Sequence, residues 1–320
     1  MGGHETRGIG VNTSELLKTI KEIKNKKIQI SEFKPGEKYD LVHFTVFKPF
    51  SFSLPFRKPA KKVVLTIHDL IPLIYPKHYP GGIKGNFIFL IQKLLIKKNV
   101  DAIITISETS KKDICRFLGV NPEKIHVIYL APKKVFKKVE NNNLKQEVKK
   151  KYNLPDKFAL YVGDVNYNKN IPNLIKAVKL AKTPLVICGK QAKGIEKENL
   201  NHPELRHLKD INWSGVLRLG FVPDEDMAVI YNLATVYCQP SYYEGFGLPV
   251  LEALACGCPV VASKTQALVE IAEGVATFVD PKDPQDIADG LNSFIKGSKL
   301  PREYSWEKTA KETLDLYAKI

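Results

Sequence analysis

Two carboxylates stand eight residues apart in the stretch Glu244 to Ser263, EGFGLPVLEALACGCPVVAS. Glu244 opens a glycine-rich turn, Glu244-Gly245-Phe246-Gly247. Leu248 and Pro249 follow, and proline suits the first turn of a helix, where its missing N–H would have no partner anyway. Val250 to Ala255 is predicted to be helical, with Cys256-Gly257 as its stop. Pro259 to Ser263 is then a short buried strand. Backbone N–H groups of the turn and the positive end of the helix converge on a place suited to an anion such as phosphate. Carboxylates are poor phosphate ligands but good partners for sugar and ribose hydroxyls. The chemistry offered is therefore recognition of a molecule that carries both phosphate and hydroxyl groups. Taken singly, each part has an ordinary explanation, since glycine turns are common and a helical Glu usually faces water.

Other chemistry-bearing residues sit where strands are predicted to end. Val63 to Ile67 reads as a buried strand, and His68-Asp69 follows it directly. Ala102 to Ile106 is another strand, and Ser107 caps the helix after it, which begins near Thr109. Phe158 to Val162 is a strand followed by a loop from Gly163 to Asn170, with Lys169 near its end. Leu185 to Cys188 is a strand ending at Gly189-Lys190. The carboxyl ends of strands are where open α/β sheets bind ligands. Helices are predicted at Ser14–Lys24, Phe87–Lys98, Ile171–Lys182, Asp224–Asn232, Pro284–Lys296 and Trp306–Lys319. The helix from Phe87 has basic flanks, and its apolar residues are expected to pack into the core, contact with a membrane surface being the alternative. Further strands are Tyr39–Phe44, Lys124–Tyr129, Val216–Phe221, Thr235–Gln239 and Ala276–Val279. Gly8-Ile9-Gly10 reads as a loop leading into a helix, with no strand before it, so a first strand is expected to be missing.

This alternation occurs twice, separated by a polar stretch from Ala131 to Pro155 that reads as a boundary. Two doubly wound α/β domains are expected, over 1–154 and 155–302, the latter binding the ligand, with a last helix (about 303–320) returning to the first. Apolar residues make up 44% and charged residues 26% of the 320, the profile of a globular protein. No apolar leader or membrane-spanning run is found. The five cysteines lie mostly in apolar runs, and C-x-C at Cys256 and Cys258 is not a zinc or redox spacing, so buried thiols in a reducing, cytoplasmic setting are expected. The net charge of +15 is uneven: residues 1–150 hold 29 Lys+Arg against 13 Asp+Glu, the rest 20 against 21. A basic half calls for an anionic partner, unless its lysines simply face water. No helix-turn-helix, zinc or RNP pattern points to nucleic acid. An anionic membrane surface remains, with peripheral attachment to the inner face.

Taken in order, the motifs resemble glycosyltransferase family 4, among the mannosyltransferase-like group 1 glycosyltransferases. The resemblance covers nearly the whole chain. It rests on E-x7-E from Glu244 to Glu252, HDLIPL at His68, YVGDVNYNKNIPNLIKA at Tyr161, GFVPDED at Gly220, SWEKTAKETLDLY at Ser305 and RGIG at Arg7. It implies the GT-B fold, two Rossmann-like domains facing a cleft. It also implies retaining, metal-independent transfer of a hexose, GDP-mannose being the first donor expected and UDP- or dTDP-sugars the others. The acceptor would be a glycan or lipid-linked sugar in surface polysaccharide synthesis. A non-catalytic nucleotide-sugar binder, or a decayed transferase, is the alternative. By the same resemblance, Glu244 contacts the transferred sugar, Glu252 the ribose, and Lys169 the diphosphate beside the backbone of Phe246, Gly247 and Leu248, with Gly163 and Gly245 in the surrounding turns. Gly8 and Gly10 approach the phosphate, His68 lies by the reacting centre with Asp69 and Ser107 in support, and Phe221 and Val222 lie near the base. Many members carry an arginine near Lys169. Here Asp164 and Asn168 stand at those places, and Lys190 is the substitute cation expected.

Overall fold

The computed structural model describes residues 9–23, 28–34, 36–297 and 299–320. In chain order the elements are α1 (Ile9–Glu22), β1 (Leu41–Phe44), β2 (Lys62–Thr66), α2 (Ile71–Ile74), α3 (Gly82–Asn99), β3 (Ala102–Thr105), α4 (Glu108–Leu118) and β4 (Ile125–Val127). Then come α5 (Asn142–Lys151), β5 (Ala159–Val162), α6 (Ile171–Leu180), β6 (Leu185–Cys188), α7 (Lys190–Lys193), β7 (Val216–Arg218) and α8 (Asp224–Leu233). β8 (Val236–Gln239), α9 (Leu248–Ala255), β9 (Val260–Ser263), α10 (Gln266–Ala272), β10 (Thr277–Val279), α11 (Pro284–Asn292) and α12 (Trp306–Lys319) complete the chain. They form two units. The first takes the described residues up to Pro76, Pro80–Ala131 and Tyr304–Ile320, and the second takes Lys77–Tyr79 and Pro132–Glu303.

In the first unit the strands lie in the order β1-β2-β3-β4, all parallel, with Val64 opposite Ala102 and Ile103 opposite Ile125. They run in one direction from β1, the pattern of one half of a doubly wound sheet, and no described strand precedes Leu41. β3 is buried at every position, as a strand covered on both faces must be. α12 packs on one face, where Leu316 meets Val64, Ala102, Ile104 and Ile128. Its Ala310 and Leu314 also pack against Ile20 of α1. The expectation that the apolar residues of α3 pack inward holds for one face only. Leu95 and Ile96 are buried, whereas Phe87, Leu90 and Leu94 are exposed.

In the second unit the order is β10-β9-β8-β5-β6-β7, again all parallel. The chain starts at β5, moves outward to β7, and then crosses back to β8 on the other side of β5. β5, β6, β8 and β9 are buried throughout. The reversal places the β5 and β8 loops side by side at the topological switch point, the crevice where such sheets bind ligands.

The division falls after Ala131, not after Leu154. The stretch expected to be a linker carries α5. Asn141 caps it, its Oδ1 accepting from the N–H of Leu144 (3.1 Å), and three lysines in its last turn suit the negative end of the helix dipole. Lys151 and Tyr152 both donate to Asp226 on α8 (2.6 Å each), which ties α5 to the second unit. Val148 is the one buried residue on α5, so no apolar periodicity marked it.

Candidate functional site

Glu244 lies in the loop that leaves β8. This buried carboxylate is surrounded by donors. Its Oε1 accepts from Gln239 Nε2 (2.7 Å), Ser241 Oγ (2.6 Å) and Lys169 Nζ (2.8 Å), and its Oε2 accepts from Lys169 as well (2.9 Å). Gln239 is itself fixed by the hydroxyl of Tyr237, which donates to its Oε1 (2.5 Å). Burial, with Tyr161 and Glu244 nearby, holds that hydroxyl well above the usual tyrosine range, so it remains a donor. The sequence resemblance gave Glu244 to a sugar and Lys169 to a diphosphate. The structure joins them in one ion pair whose side chains are 7% and 23% exposed. A buried pair of this kind pays a desolvation cost that only full hydrogen bonding offsets, and the Gln239 and Ser241 bonds supply it.

The loop continues through Gly245 and Phe246, both buried, to Gly247 at the start of α9. Gly247 has φ +115°, and a Cβ there would lie 2.5 Å from Leu268 Cδ2, so only glycine fits. Leu248 begins the helix and Pro249 occupies its first turn. Pro249 has no N–H, and the amides of Val250 and Leu251 donate to the carbonyl of Gly247 (2.9 and 3.4 Å), so what the helix start offers an anion is chiefly the positive end of its dipole. Glu252, one turn further on, accepts from the hydroxyl of Tyr231 (3.0 Å) and is half-buried.

The β5 loop is sewn to the β8 loop. Asn168 accepts at its carbonyl from the N–H of Tyr242 (2.8 Å), and its side-chain amide donates to the carbonyl of Tyr243 (3.0 Å). Tyr79 donates to Asn168 Oδ1 (2.7 Å). Asn170, in the left-handed region at φ 59°, donates to the carbonyls of Pro240 (2.8 Å) and Pro281 (2.6 Å). Asn168, at one of the two positions where the resemblance leads one to expect an arginine, is therefore a clamp between loops. Asp164 offers its carbonyl to the hydroxyl of Tyr161 (2.6 Å). Gly163 sits at φ +144°, with Gly189 packed on its carbonyl so closely that a Cβ on Gly189 would collide with it. Lys190, expected to stand in as a phosphate cation, lies 5.1 Å over the ring of Phe221, a cation–π contact. Phe221 is exposed, and Val222 buries its side chain fully.

In the first unit, His68 is buried just after β2, and its Nδ1 has no hydrogen-bond partner in the structure. It borders a cavity of about 30 Å³, together with Asn12, Thr66, Trp306 and Thr313. Burial pushes its pKa down to about 4. His43, which belongs to no motif, is hydrogen-bonded to the hydroxyls of Tyr317 (2.5 Å) and Thr66 (2.7 Å). Burial, and then the neighbouring His68, pushes it to about 3. Asp69 accepts from the N–H of Ile71 (3.1 Å) two residues on, steadying the turn before α2, and Ser107 caps α4, its Oγ accepting from the N–H of Ser110 (2.9 Å). Gly10 lies in the first turn of α1, which starts earlier than the predicted Ser14. Gly8 lies outside the described residues. The described residues contain no cluster of His, Cys, Asp or Glu able to hold a metal ion. Cys188, Cys238, Cys256 and Cys258 are buried thiols and Cys115 is half-buried; burial pushes Cys258 up to about 12.

Gln239, Ser241 and Asn170 escaped the sequence reading. A signal for Gln239 was present: it is a polar residue closing the otherwise apolar strand Val236-Tyr237-Cys238, and a buried amide needs a partner.

Residues 142–313 match the family model for glycosyl transferases group 1, and residues 15–131 that for glycosyltransferase family 4. The serotype-specific mannosyltransferase WbdA of Escherichia coli is 28% identical over 291 residues, covering 85% of this chain and 35% of its own length. The chain thus spans about a third of the WbdA protein. The O-antigen chain mannosyltransferase B of Escherichia coli is 29% identical over 289 residues, covering 83% of this chain and 72% of its own. Among solved structures, the sucrose-phosphate synthase of Thermosynechococcus elongatus superposes with a TM-score of 0.61 at 25% identity, over 81% of this chain and 67% of its own.

Proposed function

The chain belongs to the group 1 glycosyl transferases, and from that premise we propose that it moves a hexose, mannose first, from a nucleoside diphosphate sugar to a glycan or lipid-linked acceptor with retention of configuration. The observation that carries this reading is the pairing of the Glu244 network with the open end of α9 at the switch point of one sheet. A sugar nucleotide needs three kinds of contact, and this loop and helix offer each. The positive end of the α9 dipole suits the diphosphate. Glu252, a half-buried carboxylate, suits ribose hydroxyls. The Lys169–Glu244 pair suits the sugar and the bridging oxygen of the leaving group.

Negative charge grows on the diphosphate as the glycosidic bond breaks, and fixed donors aimed at that charge supply the largest single rate effect. Lys169 is held in place by Glu244 before any substrate arrives, so little reorganisation accompanies the step. The Glu244 carboxylate favours positive charge developing on the sugar carbon. No metal enters this scheme, and no cofactor besides the donor. Residence at the inner face of an anionic membrane belongs to the same reading, on the charge of the first half. The homologous O-antigen mannosyltransferase supports mannose and a surface polysaccharide by similarity. Asn168 as a clamp in place of a cation favours a second reading, a nucleotide-sugar binder without turnover.

The test is a screen of GDP-mannose, UDP-glucose and dTDP-rhamnose with a lipid-linked glycan acceptor, in the presence and absence of EDTA. The reading expects transfer from one donor, undiminished by EDTA, with the anomeric configuration of the donor kept in the product by NMR. An inverted product or a metal requirement contradicts the mechanism. Donor binding without transfer to any acceptor supports the second reading.

A further inference from the structure

Helix α3 has two unlike faces. On its inner face Gln92 is fully buried, donating to the carbonyls of Lys48 (2.8 Å) and Pro49 (2.9 Å) and accepting from the N–H of Ser53 (2.8 Å). On the opposite face Ile83, Phe87, Leu90 and Leu94 are 95%, 63%, 60% and 68% exposed. At about 100° per residue these four fall within an arc of about 60°, and they run about 17 Å along the helix. Lys93 and Lys97 border that arc on one side, and Lys84 and Lys98 on the other, by the same spacing. The helix contains no Asp or Glu. The loop that Gln92 holds also exposes Phe52, whose ring lies 5.3 Å from that of Phe56, likewise exposed. Single exposed apolar residues are ordinary, but four large ones in one stripe mark an interaction surface.

We propose that this face of α3 docks the protein on an anionic phospholipid bilayer, with the stripe in the headgroup boundary and the four lysines reaching lipid phosphates. This deepens the membrane part of the proposed function and rests on it. Amphipathic helices with lysine borders around a Phe/Leu/Ile stripe lie in that plane, and lysine stems cover apolar surface while their ammonium groups reach outward. Charge complementarity selects the occupant. A second copy of the chain would set one lysine border against another, whereas anionic lipid neutralises all four. No described helix is long and apolar enough to cross a membrane.

The experiment is co-sedimentation with vesicles of phosphatidylcholine alone and of phosphatidylcholine mixed with phosphatidylglycerol. The unchanged protein is expected to sediment with the mixed vesicles and not with the neutral ones, and to be released by high salt. Neutralising Lys97 and Lys98 with Gln should weaken binding about fivefold per lysine. Phe87→Ser with Leu94→Ser should weaken it at least tenfold, while the melting temperature and its response to nucleoside diphosphate stay as in the parent. If the serine variant is less stable, the glutamine variant carries the test alone. Equal sedimentation of the parent and both variants removes α3 as the surface and leaves the membrane reading standing. No sedimentation of the parent removes both. Dimerisation that the serine variant abolishes assigns the stripe to a second copy and overturns the proposal.

Discussion

The Lys169–Glu244 pair shows how one residue's task depends on its neighbours. A buried carboxylate without partners is costly. Here one ammonium and two neutral donors converge on Glu244 and satisfy its oxygens. The opposite case is met at three histidines. His43 is pushed to about 3, and His68 and His207 to about 4, by burial first in each case. All three lie below the ordinary value of 6.5, so the folded protein holds them neutral while the unfolded chain takes up protons. Their contribution to stability is complete above about pH 6.5 and is lost as pH falls through 4. The slope is up to about 1.4 kcal/mol per pH unit for each. The denaturant midpoint should therefore drop between pH 6.5 and 5, where few carboxylates titrate. An unchanged midpoint over that interval would contradict the neutral assignment.

At the scale of elements, the start of α9 is fixed by sterics. Gly247 combines a left-handed backbone with side chains from α10 packed where a Cβ would go. Gly247→Ala should cost on the order of 1–3 kcal/mol from strain and overpacking, read as a lower melting temperature. It should also weaken nucleotide binding, because α9 would shift. A variant as stable as the parent would show that the loop has another way to reach the helix. Much of this element was legible in the sequence. Glycine, proline and the apolar run Val250 to Ala255 gave its helix, and the strands either side were plain from short buried runs. The helix α5 was not legible, because what holds it is an asparagine cap and, to Asp226 of α8, one ion pair and one tyrosine hydrogen bond, rather than an apolar face. Nor was the Lys169–Glu244 pair, since the two lie 75 residues apart and meet only when β5 and β8 become neighbours. The exposure of α3 was hidden for a related reason. A run of Phe, Ile and Leu looks the same whether both faces are covered or one.

For the whole molecule, the sugar-nucleotide site proposed above lies at the switch point of the second unit, and the stripe proposed to meet lipid lies on the basic first unit. These are separable claims, resting on different residues. The central one is that the open end of α9 and Glu252 hold a nucleoside diphosphate. Its most direct measurement is the melting temperature of the protein with GDP, UDP and dTDP, repeated for Glu252→Ala. The account predicts a rise with at least one nucleotide. It also predicts that Glu252→Ala, with an unchanged melting temperature alone, needs at least tenfold more of that nucleotide for the same rise. No rise with any of the three, or an equal response in the variant, would contradict it.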